Sequence, residues 1–251
     1  MAEKTTSGGR FVPAGISVVI PVYNEAGIIN DTIRHLRDAA GDEPVEVVVC
    51  DGGPGRATLR ALAGPDVTRV ESAPGRGRQM NAGAAQASGD ILLFLHADTR
   101  LPRGWPEAVR RGLARRSAGR EVVAGAFRLV IDSPRPALRL VAWFANLRTR
   151  LERLPYGDQA QFIRAETFRA LGGYPEIPVM EDVELFMTLR QRSLPVVILD
   201  EAAITSPRRW ERDGVARRTL CNWWLRLRHL CGASPQALAR HYEPYEPGDR
   251  P

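Results

Sequence analysis

Four short apolar runs, each followed by a stretch with helical spacing, most constrain how this chain can fold. They are ISVVIPV (16–22), VEVVVC (45–50), VTRVES (67–72) and ILLFLH (91–96). ISVVIPV and VEVVVC, short and β-branched, read as buried strands, and VTRVES and ILLFLH as a third and a fourth strand. Between them, 26–40 carries Ile28, Ile29, Ile33 and Leu36 at helical spacing, Thr58–Ala63 forms a second short helix, and 77–88 is rich in Ala, Gln and Met. The joints are short and rich in Gly and Asp. Strand and helix alternating over some 80 residues predict an α/β fold, a mostly parallel sheet flanked by helices. In such sheets ligands bind beyond the carboxyl ends of the strands, so this half has the style of a nucleotide-binding unit.

The second half is less regular. A helix near 104–117, a strand at 121–131, an amphipathic helix over 136–153, partly helical stretches at 160–172 and 181–192, and a strand at 195–199 are expected. The tail 214–231 reads as an amphipathic helix with Trp223, Trp224, Leu225, Leu227 and Leu230 beside Arg217, Arg218, Arg226 and Arg228. No internal repeat or linker appears after residue 15. The expected organisation is a disordered polar lead (1–14) and one domain (15–251), comprising a nucleotide-binding half (15–99), an acceptor half (100–210) and a C-terminal helical extension (211–251).

Composition removes several classes of protein. With 44% hydrophobic residues and a net charge of +6, a wholly disordered chain is excluded. No apolar run approaches the roughly 20 residues of a spanning helix. The opening MAEKTTSGGRFVPAG has no apolar core of a secretory signal. Cys50, Cys221 and Cys231 are too few and scattered for a disulfide framework or zinc site, and are expected to face the core of a cytoplasmic protein. Lys4 is the only lysine, so the positive charge is arginine. Between Arg100 and Arg153 there are 13 arginines against four acids, a patch suited to phosphate or a solvated helix face. It lacks the interleaved aromatics of a nucleic-acid surface, and no nucleic-acid partner is expected.

Acids at strand ends are the first candidates for chemistry. Asp51 closes the second strand, and His96-Ala97-Asp98 closes the fourth. A carboxylate there needs a partner: a following helix N-terminus, a base edge or a divalent cation. Between them, PGRGRQMNAG (74–83) offers glycines, Arg76, Arg78 and the start of a helix, a plausible diphosphate cradle. Glu181 and Asp182 open a later helix. They either complement its dipole or divide into a general base and a residue holding local geometry.

Taken together, PVYNE (21–25), DGG (51–53), GRGRQMNAGA (75–84), LHADT (95–99), GDQ (157–159) and GGYPEIPVMEDVEL (172–185) resemble a family 2 glycosyltransferase with the GT-A fold, over roughly 16–210. LHADT and TSPRRW resemble a small bacterial cytosolic subgroup labelled as arsenosugar-linked or carotenoid-acid glycosyltransferases. The resemblance implies that Pro21, Tyr23 and Glu25 line a nucleoside pocket, with Asp51 on the base edge and Arg76 near the diphosphate. It implies Arg78 or Arg76 in place of the basic residue that relatives carry before Asn81, where this chain has Met80. Asp98 would bind Mg²⁺ or Mn²⁺, and Asp182, beside Glu181, would deprotonate the acceptor. Asp158, Arg208, Arg209 and Trp210 would shape the acceptor side. The implied activity is inverting transfer of a hexose from a UDP- or GDP-sugar to a small or lipidic acceptor.

Several departures bear on this expectation. The DxD-type motif is reduced to one certain carboxylate, and His96 is either a ligand or a packed residue. Pro54 removes a hydroxyl and an amide, and 205–210 offers no late histidine. The QxxRW motif of processive enzymes lacks its glutamine, which argues against polymer export. Two alternatives remain: a catalytically weak nucleotide-sugar binder, and a sugar-nucleotidyltransferase, whose Gly-rich loop would follow strand one, where this chain has PVYNE. The C-terminal helix either packs its tryptophans onto the domain or meets anionic lipid, giving peripheral contact with the inner membrane face.

Overall fold

Burial on both faces makes the first strands continuous apolar runs, and β1 (Ile16–Val22) shows how. Val18 and Ile20 join one core with Ile29, Ile33 and Leu36 of α1 (Ile29–Ala40), while Val19 turns to the other core with Met80 and Ala84 of α3 (Arg76–Gln86). The chain is seen in a computed structural model that describes residues 15–239. The expected disordered lead, 1–14, lies outside the described residues, as do 240–251 of the expected extension.

The first half follows the expected alternation. β2 (Val45–Asp51), a 3₁₀ turn at Pro54–Arg56, α2 (Ala57–Ala61), β3 (Thr68–Glu71), α3 and β4 (Ile91–Phe94) succeed β1 and α1. β1 pairs in parallel with both β2 and β4, and β2 with β3. Then come β5 (Thr99–Arg100), α4 (Trp105–Leu113), the small hairpin β6 (Arg116–Ser117) and β7 (Arg120–Glu121), β8 (Ala124–Ile131) and α5 (Pro136–Glu152). The chain continues through β9 (Phe162–Arg164), α6 (Ala165–Leu171), α7 (Glu181–Gln191), β10 (Val196–Thr205), α8 (Arg208–Asp213), α9 (Val215–Leu230) and α10 (Pro235–Ala239). One eight-stranded sheet runs β3-β2-β1-β4-β9-β8-β10-β5. Helices α1 and α4 cover one face, and α3, α6 and α7 the other. This is the GT-A architecture.

Three elements depart from expectation. The stretch 160–172, expected to be helical in part, is helical over Ala165–Leu171, while Phe162–Arg164 form β9, antiparallel to both β4 and β8. Phe162 and Ile163 are buried there, and pairing on both sides overrides the helical spacing of QAQFIRAETFRAL. β10 extends past 199, because the charged pair Asp200-Glu201 falls at a register break and pairing with β8 resumes at Ala202. Its last two residues also pair with β5, which places Thr205 beside Thr99. α8, unanticipated, begins directly after that junction.

Helix α3 lies on the sheet at close range. A Cβ on Gly83 would stand 2.5 Å from Val19 Cγ1, a buried strand residue with no room to retreat. Gly83→Val should therefore destabilise the fold by about 1–3 kcal/mol in chemical denaturation. An unchanged midpoint would show that α3 can lift without cost.

Candidate functional site

The carboxyl ends of β1, β4 and β10 converge on a cavity of about 590 Å³, within the size range of small-molecule sites. Several expected residues line it. Pro21, Tyr23 and Glu25 enter from the end of β1, and Asp98 from the end of β4. Arg76 comes from the first turn of α3, Asp182 from the first turn of α7, and Asp158 from the 3₁₀ turn Gly157–Gln159. Arg208, Arg209 and Trp210, all on α8, complete the set.

Arg208 is the centre of the charge arrangement. Its guanidinium donates to both oxygens of Glu25, at 2.6 and 3.0 Å, and its Nε donates to Asp98 Oδ2 at 2.8 Å. The backbone sets it there. The Ser206 amide donates to the Asp98 carbonyl at 3.1 Å, and Thr99 bonds Thr205 through their hydroxyls at 3.2 Å. The segment after β10 is thereby strapped to the segment after β4.

A second ion pair joins two helix starts. Arg76 Nε lies 2.9 Å from Glu181 Oε1, with Glu181 almost fully buried. Burial, opposed by Arg76 and reinforced by the Asp182 charge, raises the Glu181 pKa, and its Oε2 has no hydrogen-bond partner. Asp182 sits differently. Its Oδ2 accepts from the Gly157 amide at 2.6 Å and its Oδ1 from the Val183 amide at 2.8 Å. Of the two adjacent acids, Asp182 reaches the cavity and Glu181 stands behind it, bracing Arg76.

His96 lies against this pair. A Cβ on Gly157 would approach His96 Nε2 to 2.8 Å and Asp182 Oδ2 to 3.3 Å, so only glycine lets the turn pass between them. Burial of the ring, then the Arg76 charge, lowers the His96 pKa to about 4, which leaves a neutral imidazole near pH 7. No three His, Cys, Asp or Glu side chains among the described residues form a ready metal cage. Asp98, with His96 two positions before it, fits a divalent ion whose other ligands arrive with a diphosphate, as Mg²⁺ sites commonly do.

Four expected residues do not face the cavity. Asp51 is fully buried, and its oxygens accept from the Gly53 amide at 2.7 Å and the Leu59 amide at 3.4 Å, bracing the turn after β2. Arg78 points to the surface and pairs with Glu176 at 3.0 Å. Asn81 clasps the backbone of Tyr174 with two bonds of 2.8 Å. Glu181 is the fourth. Conversely, Gln79 lines the cavity and donates to the carbonyls of Val22 and Cys50, tying the ends of β1 and β2. Tyr156, Met180 and the inner face of α9 (Arg218, Asn222, Leu225) also line it. The i, i+4, i+7 spacing of those α9 residues was the available signal.

The C-terminal helix corrects two further expectations. Trp223 and Trp224 are 54% and 38% exposed rather than buried, while Leu225 is buried against Val179 and Leu238. Of the cysteines, Cys50 is buried, but Cys221 is half-buried and Cys231 exposed.

Asp158 provides a test of the site's electrostatics. Its Oδ1 is buried without a partner, and burial, then the Asp182 charge, raises its pKa from 3.8 to about 6. The unfolded chain loses this proton near 3.8 while the folded chain keeps it to about 6, so stability present at low pH is lost as pH rises across that window. Asp158→Asn should be more stable than the wild type by up to about 3 kcal/mol at neutral pH, and the gap should close as pH falls toward the unfolded value. A gap that does not vary with pH would contradict this placement.

Comparison with known proteins agrees with this fold. The chain is 35% identical over 89 residues to an uncharacterized glycosyltransferase of Mycobacterium tuberculosis; that segment covers 34% of this chain and 34% of the relative, about a third of its length. Among solved structures, the mannosyltransferase PcManGT from Pyrobaculum calidifontis, in complex with GDP-Man and Mn²⁺, superposes with a TM-score of 0.62 at 22% identity, covering 94% of this chain and 67% of that one. Glucosyl-3-phosphoglycerate synthase from M. tuberculosis, with Mn²⁺, UDP and phosphoglyceric acid, gives 0.55 at 21% identity, covering 88% and 80%. S. aureus TarS 1–349 with UDP gives 0.58 at 19% identity, covering 76% and 60%. At these identities the structures establish a shared fold. The sequence profile of Glycosyl transferase family 2 matches residues 17–170, more than half of the chain, and the chain belongs to that family.

Proposed function

We propose that the protein transfers a hexose from a nucleoside-diphosphate sugar, UDP- or GDP-linked, to a hydroxyl of a small or lipidic acceptor, with inversion at the anomeric carbon. The observation that carries this reading is one cavity bordered both by the Glu25–Arg208–Asp98 cluster and by Asp182 held on the Gly157 amide. The nucleotide-binding half (15–99) supplies the donor side, 100–210 the acceptor side, and the extension from 211 closes it. Structural neighbours bound to GDP-Man, UDP and Mn²⁺ support the donor class.

Pro21, Tyr23 and Glu25 hold the nucleoside, with Tyr23 against the base. Asp51 acts from behind, because it is fully buried and braces the turn after β2. Asp98 would hold Mg²⁺ or Mn²⁺, with His96 as the adjacent nitrogen donor, and the ion would supply positive charge to the diphosphate. Arg76, braced by Glu181, and Arg208 add fixed positive charge where negative charge develops. Arg78 and Asn81 act through the surrounding loop, Arg78 on Glu176 and Asn81 on the backbone of Tyr174. Asp182 accepts the acceptor's hydroxyl proton as the oxygen bonds to the anomeric carbon, and the bond to the diphosphate breaks with its electron pair on the phosphate oxygen. With Asp182 as the base and Glu25 and Asp98 tied to Arg208, the reading is one displacement with inversion. Asp158 borders the acceptor side of the cavity, with Arg209 and Trp210. The carotenoid-acid class of the resembling subgroup falls within the lipidic acceptors, and contact of α9 with a membrane belongs to the same reading.

Asp182→Asn separates binding from chemistry. It should leave nucleotide affinity within a factor of about 3 and lower turnover by about 10² or more, the usual worth of a general base. Hydrolysis of the sugar nucleotide, followed by nucleotide release, reads turnover without knowledge of the acceptor. Unchanged turnover would remove Asp182 from the base role.

A further inference from the structure

Two helices carry apolar stripes that face outward, where soluble proteins place polar residues. On α5, Leu140, Trp143, Phe144, Leu147 and Leu151 repeat at i, i+3, i+4, i+7 and i+11, all exposed. On α9, Leu220, Trp223, Trp224 and Leu227 do the same at i, i+3, i+4 and i+7. The opposite faces are the packed ones: Leu138 and Ala142 of α5 bury against β8, and Leu225 of α9 against Val179. The two helices touch through Arg226 and Glu152, so the stripes belong to one region of the surface.

The charge on these helices is mostly positive. α5 holds three arginines against Glu152, and α9 holds four with no acid, an excess equal to the +6 of the whole chain. Arg139, Arg217 and Arg228 are exposed beside the stripes, and Arg228 lies 5.1 Å over the Trp224 ring. Leucine and tryptophan flanked by arginine is the pattern of a helix lying in a lipid interface. A second copy of this chain fits less well, because two-fold pairing of the same patch sets arginines against arginines.

We infer that α5 and α9 form a platform that seats the protein on an anionic bilayer, and that the acceptor is a lipid anchored in that bilayer. This rests on the transfer reading for its consequence. The platform adjoins the cavity directly: α9 turns Arg218, Asn222 and Leu225 into it. Tyr156, also on the cavity wall, lies under Arg148 of α5 at 3.9 Å and bonds Arg226 of α9 at 3.5 Å. A lipid's hydroxyl can therefore enter beside Asp182 while its chains stay in the bilayer.

The test is co-sedimentation of the full chain with vesicles of phosphatidylcholine alone or mixed with phosphatidylglycerol. Trp143→Ser/Leu147→Ser and Trp223→Ser/Leu227→Ser are run alongside; both pairs are exposed and outside the cavity. Binding to the anionic vesicles should exceed that to the neutral ones by about tenfold, fall with salt, and drop about tenfold in each double variant. A blue shift of tryptophan fluorescence should accompany it. Sedimentation velocity without lipid and UDP or GDP binding are measured on the same samples. No preference for anionic vesicles, or a wild-type dimer that the variants dissociate, would overturn the platform. Vesicle binding without nucleotide binding would overturn the transfer reading and leave the platform standing.

Discussion

Arg208 joins parts of the chain that are 183 positions apart, and the shape of the cavity depends on it. Two carboxylates facing the same crevice would repel. A guanidinium bonded to both turns that repulsion into a fixed geometry. Its position follows from backbone pairing alone: β10 outruns its apolar segment, meets β5, and delivers Ser206 to the Asp98 carbonyl just before α8 begins. The cluster of Glu25, Asp98 and Arg208 carries one net negative charge. That residual charge suits the cation and diphosphate of the proposed transfer.

The Arg76–Glu181 pair complements this on the far side of the sheet's edge, linking the first turns of α3 and α7. Behind it, Phe94, Phe168 and Tyr174 meet in tilted and edge-to-face contacts with ring centroids 4.8–5.4 Å apart, and Tyr174 bonds Gln161, which in turn reaches the Asp182 carbonyl. The backbone near the site is strained: Asn24, Ala160 and Met180 adopt left-handed conformations, at φ 57°, 47° and 68°. For Ala160 and Met180 this costs about 1 kcal/mol or more each. Met180 immediately precedes Glu181 and lines the cavity, so its turn is what points Asp182 inward.

Much of this was legible in the sequence, for physical reasons. β1, β2 and β4 are buried on both faces and read as unbroken apolar runs. Asp98, Asp182 and Arg208 occupy positions that topology brings to one edge. What escaped was decided by tertiary pairing. β9 is three residues held between two strands, and the end of β10 is masked by Asp200-Glu201. Asp51, Arg78 and Asn81 stand in motif positions, yet their partners are a backbone turn, Glu176 and Tyr174. On α9 the apolar residues read as a single face, whereas Leu225 turns inward and Trp223, Trp224 and Leu227 outward, because both sides of that helix have apolar work.

The central claim is that the Glu25–Arg208–Asp98 cluster receives a nucleoside diphosphate together with a divalent ion. Titration calorimetry of UDP and of GDP, in Mn²⁺ and in EDTA, on the wild type and Asp98→Asn, tests it most directly. One nucleotide should bind the wild type about tenfold or more tighter in Mn²⁺ than in EDTA, and Asp98→Asn should erase that difference. Equal affinity with and without the metal, or a metal effect that survives in Asp98→Asn, would contradict the account.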